Sequence, residues 1–311
     1  MENDGIAFKR EVRTFWLRHA GRAIAYGFGC AYVGRDGTDG EQAARDVALL
    51  ETAYACGFRY FDTSANYGDS EAIVGKWLPS VPRGTVFVAT KAKRFPADAH
   101  PAEAARAVKA SLQRSLERLR AGRIDLYQLH DIDTLDQATA AGGVLEALID
   151  CKRQGLVRYI GVATRSLPLL VQAAQLGAFD TVLTYADLTP LAQPAEPYIR
   201  RFRELGAGAI NASPLAGNLI TGQDPRAIRL PPGDSRQERQ KLAIAYYDWC
   251  RERGVAPLAH ALQFPLRYAD IDITLTGPAT AGQLRSTLAC LEPANDRLRD
   301  VDWPPNQTMD E

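Results

Sequence analysis

Four residues in this sequence could share one proton-transfer task. Asp62 and Tyr67 sit in the stretch FDTSANYG, Lys91 closes the run VFVATK, and His130 closes IDLYQLH. A phenol ordinarily ionises near pH 10, so Tyr67 can shuttle protons at neutral pH only if a neighbouring cation favours its phenolate. Lys91 could be that cation, and Asp62 could hold Lys91 charged in a partly dry pocket where an isolated ammonium would lose its proton. His130 could donate a hydrogen bond to a carbonyl or alkoxide oxygen and turn it towards the phenol. Each residue also has an ordinary structural use. Asp62 serves equally as a helix-entry or turn carboxylate, Tyr67 as a half-buried rim aromatic, Lys91 as a solvated strand end and His130 as a satisfied polar core group. Their shared placement argues for the joint reading, since each follows an apolar strand and those strands are consecutive.

The elements that must position them alternate along the chain. Short β-rich runs cover Ala23–Gly29, Phe58–Thr63, Val86–Lys91, Ile124–Leu129, Val157–Val162, Thr181–Tyr185, Ala209–Ser213 and Ile271–Thr276. Segments of helical period lie between and after them: Gly40–Cys56, Ser70–Leu78, Pro101–Arg120, Leu135–Gln154, Leu167–Leu176, Pro194–Leu205, Arg236–Arg253 and Thr280–Leu291, with a further apolar helix over Val255–Tyr268. Gly57 and Gly155 supply the positive φ that ends a helix, and Ser70 with Glu71 reads as a capping hydroxyl followed by an early acid. Eight strand–helix units predict an α/β fold, a (β/α)8 TIM barrel in a single domain, with its site at the C-terminal ends of the strands. No GxGxxG follows the first strand, which argues against a doubly wound nucleotide-binding sheet. Residues 1–22 read as an N-terminal extension or hairpin across the barrel floor. Residues 218–235, rich in Gly, Pro and Arg, read as a cofactor-covering loop.

Composition narrows the partners. The chain has 311 residues, 46% hydrophobic and 24% charged, with 37 basic and 37 acidic side chains. That balance leaves no net field for nucleic acid or an anionic membrane. The polar start Met1–Gly5 lacks a secretory pattern and no apolar stretch reaches bilayer length, so the expected address is the cytosol. Five scattered cysteines without a CxxC pair read as buried thiols, with no disulfide framework and no metal site.

The blocks GFRYFDTSANYGDSE (Gly57–Glu71), VFVATKAK (Val86–Lys93), IDLYQLH (Ile124–His130), GLVRYIGVAT (Gly155–Thr164) and ASPLAGNLITG (Ala212–Gly222) together resemble the aldo-keto reductases. That resemblance implies a barrel oxidoreductase using NAD or NADP, with Asp62, Tyr67, Lys91 and His130 as its catalytic tetrad. HDIDTLDQ (His130–Gln137) and NASPLAGNLIT (Asn211–Thr221) look most like the branch of aldose 1-dehydrogenases that act on L-galactose and L-fucose. Two family positions differ: the nicotinamide-stacking tyrosine of the seventh strand is Ala212, and the Ser-Asn pair after the fifth strand is Ala163-Thr164. Tyr185 is then a candidate to cover the ring.

The resemblance also places the rest of the cofactor. Ser213, Leu215, Gly217 and Asn218 would meet the pyrophosphate, and Gly277, Thr280, Gln283 and Thr287 the adenosine. The positions that carry a cation for a 2′-phosphate in NADP-preferring relatives are Gly277 and Gln283, which favours NAD. For the substrate, a small carbonyl compound or sugar, Tyr32, Lys93 and Asp131 are rim candidates, while Trp249 is expected to pack a helix face. No arginine cluster is expected at the strand ends, which disfavours phosphorylated or dicarboxylic substrates. Two other readings stay open: oxidation of a non-sugar compound such as pyridoxal, and a non-catalytic cofactor-binding subunit that regulates a partner. The chain is expected to be a monomer or small homo-oligomer.

Overall fold

A computed structural model describes residues 26–92 and 98–303. Eight parallel strands close into a barrel in chain order, with β8 returning to β1. They are β1 (Tyr26–Gly29), β2 (Tyr60–Asp62), β3 (Phe87–Lys91), β4 (Ile124–His130), β5 (Val157–Ala163), β6 (Thr181–Tyr185), β7 (Gly208–Ala212) and β8 (Ile273–Thr276). Around them run α1 (Gly40–Ala55), α2 (Ser70–Trp77), α3 (Pro101–Arg118), α4 (Asp136–Thr139), α5 (Val144–Arg153), α6 (Leu167–Gln175), α7 (Glu196–Glu204), α8 (Gln237–Glu252), α9 (Pro257–Gln263) and α10 (Ala281–Cys290). All eight predicted strands are present where described. The expected extension over residues 1–22 and the start of the first predicted strand lie outside the described residues.

Three expectations about helices need correction. The single helix over Leu135–Gln154 is two, α4 and α5, parted at Gly142, whose φ of +69° no helix admits. The helix over Val255–Tyr268 ends at Gln263 and continues as a 3-10 turn, because Pro265 has no N–H for an α-helical bond. Ser70 does not cap α2: its hydroxyl donates to the carbonyl of Cys30 and accepts from Thr63 Oγ1, so the N-cap position is Asp69. Glu71 is the expected first-turn acid, and it is buried, accepting from Thr90 Oγ1 at 2.7 Å. The thiols also differ from expectation. Cys30, Cys151 and Cys250 are buried, but Cys56 is exposed and Cys290 partly so, each lying at the outer end of a helix.

Two-residue alternation along the strands sorts the side chains. One set, with Tyr60, Phe87, Leu126, Tyr159, Leu183, Ile210 and Leu275, fills the barrel interior. The other faces the helices, where Phe61 packs on Trp77 with ring centres 4.4 Å apart. Each such aromatic contributes roughly 1.5–3 kcal/mol through burial. Continuing the interior set upward by two residues along each strand gives Asp62 above Tyr60, Lys91 above Ala89, and Gln128 then His130 above Leu126. The register aligns Asp62 with Ala89 and Lys91 with Gln128. An apolar barrel therefore ends in a polar layer at the C-terminal ends of β2, β3 and β4.

The opposite end is fixed differently. Asp125, Asp180 and Asp272, at or just before the starts of β4, β6 and β8, each accept a backbone N–H from the preceding strand, of Val88, Ile160 and Ala209, at 2.8 Å.

Candidate active site

The segment after β2 is held by its own hydrogen bonds before any ligand enters. Thr63 N–H donates to Ala89 O at 2.8 Å, and Ala65 N–H to Lys91 O at 3.2 Å, so the chain follows β3 beyond the last strand residue. Tyr67 N–H donates to Ser64 O and Ser70 N–H to Tyr67 O, both at 3.0 Å. Gly68 follows at φ +57°, and a Cβ there would stand 3.2 Å from Gly34 O. The glycine beside the tyrosine is thus a backbone requirement of the turn that presents the phenol.

Asp62 and Lys91 form a buried ion pair whose side chains are 4% and 3% exposed. Lys91 Nζ also donates to Thr63 O at 3.0 Å, and the second oxygen of Asp62 accepts from Gln128 Nε2 at 3.2 Å. Lys91 Nζ lies 5.1 Å from the centre of the Tyr67 ring. Burial raises the Asp62 carboxyl above its ordinary range, against the charge and hydrogen bond of Lys91 and the hydrogen bond of Gln128. Burial tends to discharge Lys91, but Asp62 and Tyr67 together hold its ammonium above the usual lysine value. For Tyr67 the strongest influence is the charge of Lys91, which lowers the phenol. Burial and the carboxylates of Asp62 and Asp131 outweigh it, so the phenol stays somewhat above its ordinary value. The expectation of an acidic phenol is not met by these residues alone, because burial first, and then the two carboxylates, work against the single ammonium.

His130 is 11% exposed, edge-on to Tyr67 with ring centres 5.8 Å apart. Its pKa is lowered to about 3, first by burial and then by the charges of Lys91 and Arg165, so the ring is neutral at physiological pH. Ser64 Oγ lies 2.9 Å from Nδ1 and already accepts the N–H of Asn66, which leaves its own proton for Nδ1. Asn66 Nδ2 approaches the same nitrogen at 3.4 Å. With Nδ1 accepting, the ring proton is assigned to Nε2, where it can be donated into the cavity. Asp131, at φ +49°, brings a carboxylate oxygen to 3.9 Å from Nε2.

These groups open onto a cavity of about 390 Å³ at the C-terminal mouth of the barrel. Of the residues expected there, Asp62, Tyr67, Lys91, His130, Asp131, Tyr32, Ala163, Thr164, Tyr185, Ser213, Leu215, Gly217, Asn218 and Gly277 all line it. Thr280, Gln283 and Thr287 do not: Thr280 caps α10 by accepting Gln283 N–H, Gln283 Oε1 accepts Ala279 N–H at 2.7 Å, and Thr287 is buried. Lys93 lies outside the described residues. Trp249 packs in α8 beside Tyr246, as expected of a helix face. A larger hollow of about 670 Å³ lies at the opposite end, among Arg83, Arg123 and Asp125, far from this cluster. Chemistry, not volume, decides between the two.

Some lining residues were not foreseen. Arg35 and Arg165 bring guanidinium groups to the mouth, stacked over Tyr32 at 4.2 Å and Tyr185 at 4.6 Å, which corrects the expectation of a rim without arginines. Ser64, Asn66 and Gln128 were not expected either; of these Asn66 lines the cavity, while Ser64 and Gln128 are fully buried. Ser64 and Asn66 stand inside the motif that gave Asp62 and Tyr67, and Gln128 shares the two-residue period of His130.

The far side of the cavity suits a dinucleotide. Gly29 and Gly277 bring the backbones of β1 and β8 close: a Cβ on Gly277 would lie 3.0 Å from Gly29 O, so the wall there carries no side chain. Ser213, Ala216, Gly217 and Asn218 all take positive φ, curling the chain after β7 into a concave turn of the kind that receives anions. Arg236 braces that turn through Gly217 O at 3.3 Å and pairs with Asp234. The donor set fits NAD(P): side-chain-free wall, concave backbone and adjacent cation.

Comparison with known proteins agrees. The model of the aldo/keto reductase family matches residues 25–298. L-galactose dehydrogenase of Arabidopsis thaliana is 31% identical over 280 residues, covering 87% of this chain and 85% of that protein. D-threo-aldose 1-dehydrogenase of a Pseudomonas species is 31% identical over 300 residues, covering 85% and 88%. A solved aldo-keto reductase of Bacillus halodurans, in its holo form, shares the fold with a TM-score of 0.69 at 23% identity, over 88% of this chain and 90% of that one. The chain belongs to the aldo/keto reductase family and is an NAD(P)-dependent oxidoreductase.

Proposed function

We propose that the protein is an aldose 1-dehydrogenase, converting the hemiacetal of a small sugar to its lactone, and that Asp62, Tyr67, Lys91 and His130 are its catalytic residues. The observation that carries this is the buried Lys91–Asp62 pair set beside Tyr67, with the neutral His130 edge-on to the phenol, at the mouth of one cavity. The names of the two relatives above support an aldose over other alcohols.

The nicotinamide supplies the hydride acceptor, or in reverse the donor, when bound. Ala163, Thr164, Tyr185 and Ala212 would stand around its ring, with Ser213, Leu215, Gly217 and Asn218 at the pyrophosphate. The chain following Asn218 would cover it. Gln240 Nε2 already ties that chain down through Pro225 O and Ile228 O at 2.9 and 2.7 Å. In oxidation the pair of electrons of the sugar C1–H bond leaves with the hydride, and the hydroxyl proton on O1 passes to the oxygen of Tyr67, giving C1=O. In reduction Tyr67 gives that proton back. His130 Nε2–H donates to O1 and fixes its direction towards the phenol. Lys91, kept charged by Asp62, steadies the phenolate that oxidation needs. Asp131 would accept, and Tyr32 donate, hydrogen bonds from and to sugar hydroxyls, a reading supported by their both lining the cavity.

For the cofactor we propose NAD: Gly277 and Gln283 offer a 2′-phosphate no cation, and Gln283 is engaged with Ala279. The test is a screen of aldoses with NAD and NADP in the oxidative direction, and of lactones and simple aldehydes in reverse, followed by nicotinamide absorbance. Turnover of aldoses with a higher kcat/KM for NAD is expected. Activity confined to non-sugar aldehydes would end the aldose reading, and cofactor binding without turnover of any substrate would end the enzymatic one.

A further inference from the structure

We propose that Gln128 is a positioning residue for the reaction: from inside the barrel its amide holds the second oxygen of Asp62, and so keeps the Lys91 ammonium in place beside Tyr67. The inference rests on the roles just proposed for Asp62, Lys91 and Tyr67.

Gln128 lies on β4, opposite Lys91 in the register with β3 and opposite Gly161 in the register with β5. It is completely buried. Its Nε2 is 3.2 Å from Asp62 Oδ2, while Asp62 Oδ1 faces Lys91 Nζ. The amide orientation follows from charge, since turning it over would set Oε1 against a carboxylate oxygen. In that orientation Oε1 meets no hydrogen-bond partner among the described residues. A buried acceptor left unpaired costs stability, and a methionine or leucine would fill the same barrel layer without that cost. The position is therefore poorly explained by packing and well explained by what Nε2 does.

The slot is shaped for it. A Cβ on Gly161 would fall 2.2 Å from Thr181 Oγ1 and 3.3 Å from Gln128 Cγ, so the absence of a side chain at Gly161 lets the amide lie across the barrel towards Asp62. Without Nε2, Asp62 keeps a single strong donor, Lys91. The carboxylate becomes harder to keep ionised, the ammonium is less firmly charged, and the phenol loses the influence that most lowers it.

The experiment is a double-mutant cycle on the full-length enzyme. Gln128→Met, Asp62→Asn and the double variant are assayed for aldose oxidation across pH, with Thr181→Val as a control whose hydroxyl has no hydrogen-bond partner among the described residues. The expected result for Gln128→Met is a kcat lower on the order of tenfold at neutral pH, about the worth of one hydrogen bond to a charged group. Raising the pH should recover that loss, because the limb assigned to Tyr67 moves to higher pH, and KM for NAD should not change. In the Asp62→Asn background the same substitution should add little, which marks an effect routed through Asp62. Thr181→Val should keep the wild-type profile. If Gln128→Met does not fold, Gln128→Glu, nearly identical in shape, is read instead: its protonated acid can donate as the amide does, so its activity should fall with rising pH where the wild type's does not. An unmoved pH profile, or full additivity with Asp62→Asn, overturns the inference. A fully active Tyr67→Phe variant would instead overturn the proposed roles beneath it, so the two failures are distinguishable.

Discussion

The barrel carries the same three residue types at both ends. At the C-terminal end Lys91 pairs with Asp62 and lies 5.1 Å from the ring centre of Tyr67; near the opposite end Lys152 pairs with Asp180 and lies 5.9 Å from that of Tyr159. The differences lie in what else the carboxylate holds and what the lysine can reach. Asp180 accepts Lys152 on both oxygens at 3.0 Å and the backbone N–H of Ile160 at 2.8 Å, and the lysine side chain is 24% exposed. That arrangement fastens α5 to the start of β6 and fixes strand register. Among the described residues the Asp62 carboxylate accepts only side chains, Lys91 and Gln128, and its lysine is shut away from solvent beside a phenol that faces a cavity. A carboxylate that holds backbone sets geometry, whereas one that holds a buried ammonium sets the charge felt by a neighbour. Residue types alone do not separate structure from chemistry here.

The sharpest way to break the comparison is to remove each phenol. Tyr67→Phe should lower kcat by about 10²–10⁴-fold, the usual range for loss of a general acid or base, with NAD affinity by fluorescence titration unchanged. Tyr159→Phe should leave kcat as it was. Comparable losses in both variants would mean that the upper cluster is not special.

Removing each lysine comes next. Lys91→Met strands a buried carboxylate and should cost about 3–5 kcal/mol in urea unfolding, together with most of kcat. Lys152→Met also strands a buried carboxylate, but one that keeps the backbone N–H of Ile160, so a smaller loss, about 1–3 kcal/mol, and an unchanged kcat are expected. A fall in kcat for Lys152→Met equal to that of Lys91→Met would erase the distinction between structural and catalytic pairs.

How far the sequence alone reached follows the same division. Strands β2 to β8 and the four titratable residues were legible because Asp62, Lys91 and His130 end apolar runs, Tyr67 stands in the polar turn that follows the first of them, and the order of the runs fixes their neighbours. Gln128 was missed because a lone amide within IDLYQLH reads as an interruption of a strand, although counting back two from His130 puts it on the interior face. Arg35 and Arg165 were missed because they lie in loops, where no period says which way a side chain turns. The hydroxyl of Ser70 was misassigned for a related reason: capping is a local rule, and here a tertiary acceptor, Cys30 O, takes the proton instead. The net state of the Tyr67 phenol was beyond pattern altogether, since it depends on several opposing influences, with the charge of Lys91 on one side and burial, Asp62 and Asp131 on the other.

A smaller effect tests the ring orientation assigned to His130. Ser64→Ala removes the hydroxyl at Nδ1, leaving Asn66 Nδ2 at 3.4 Å as the neighbouring donor. With the Nε2–H tautomer less firmly held, kcat should fall by about fivefold, the worth of one neutral hydrogen bond, and urea stability should change little. An unchanged kcat would show that the tautomer needs no help from Ser64.

The smallest effect separates two histidines, one at the mouth and one outside the barrel, by pH. His130 at the mouth and His260 in the helical layer are both held neutral, primarily by burial; His260 contacts Tyr246 Oη and Val301 O, both at 3.0 Å. A histidine whose folded pKa is depressed lets the unfolded chain bind more protons once the pH drops below the ordinary value near 6.5. Its contribution to stability is therefore complete above that pH and declines below it, for His130 until about 3. Activity should not follow. Because His130 does not titrate near its ordinary pKa, kcat/KM for reduction, where the protonated phenol is the donor, should show no limb centred near pH 6.5. Asparagine at position 260 should flatten the decline of stability below that pH and leave the activity profile as it was. A limb near 6.5 in kcat/KM that vanishes in His130→Asn would show that the ring at the mouth is far wetter than its packing implies, and the neutral donor assigned to it would have to be abandoned.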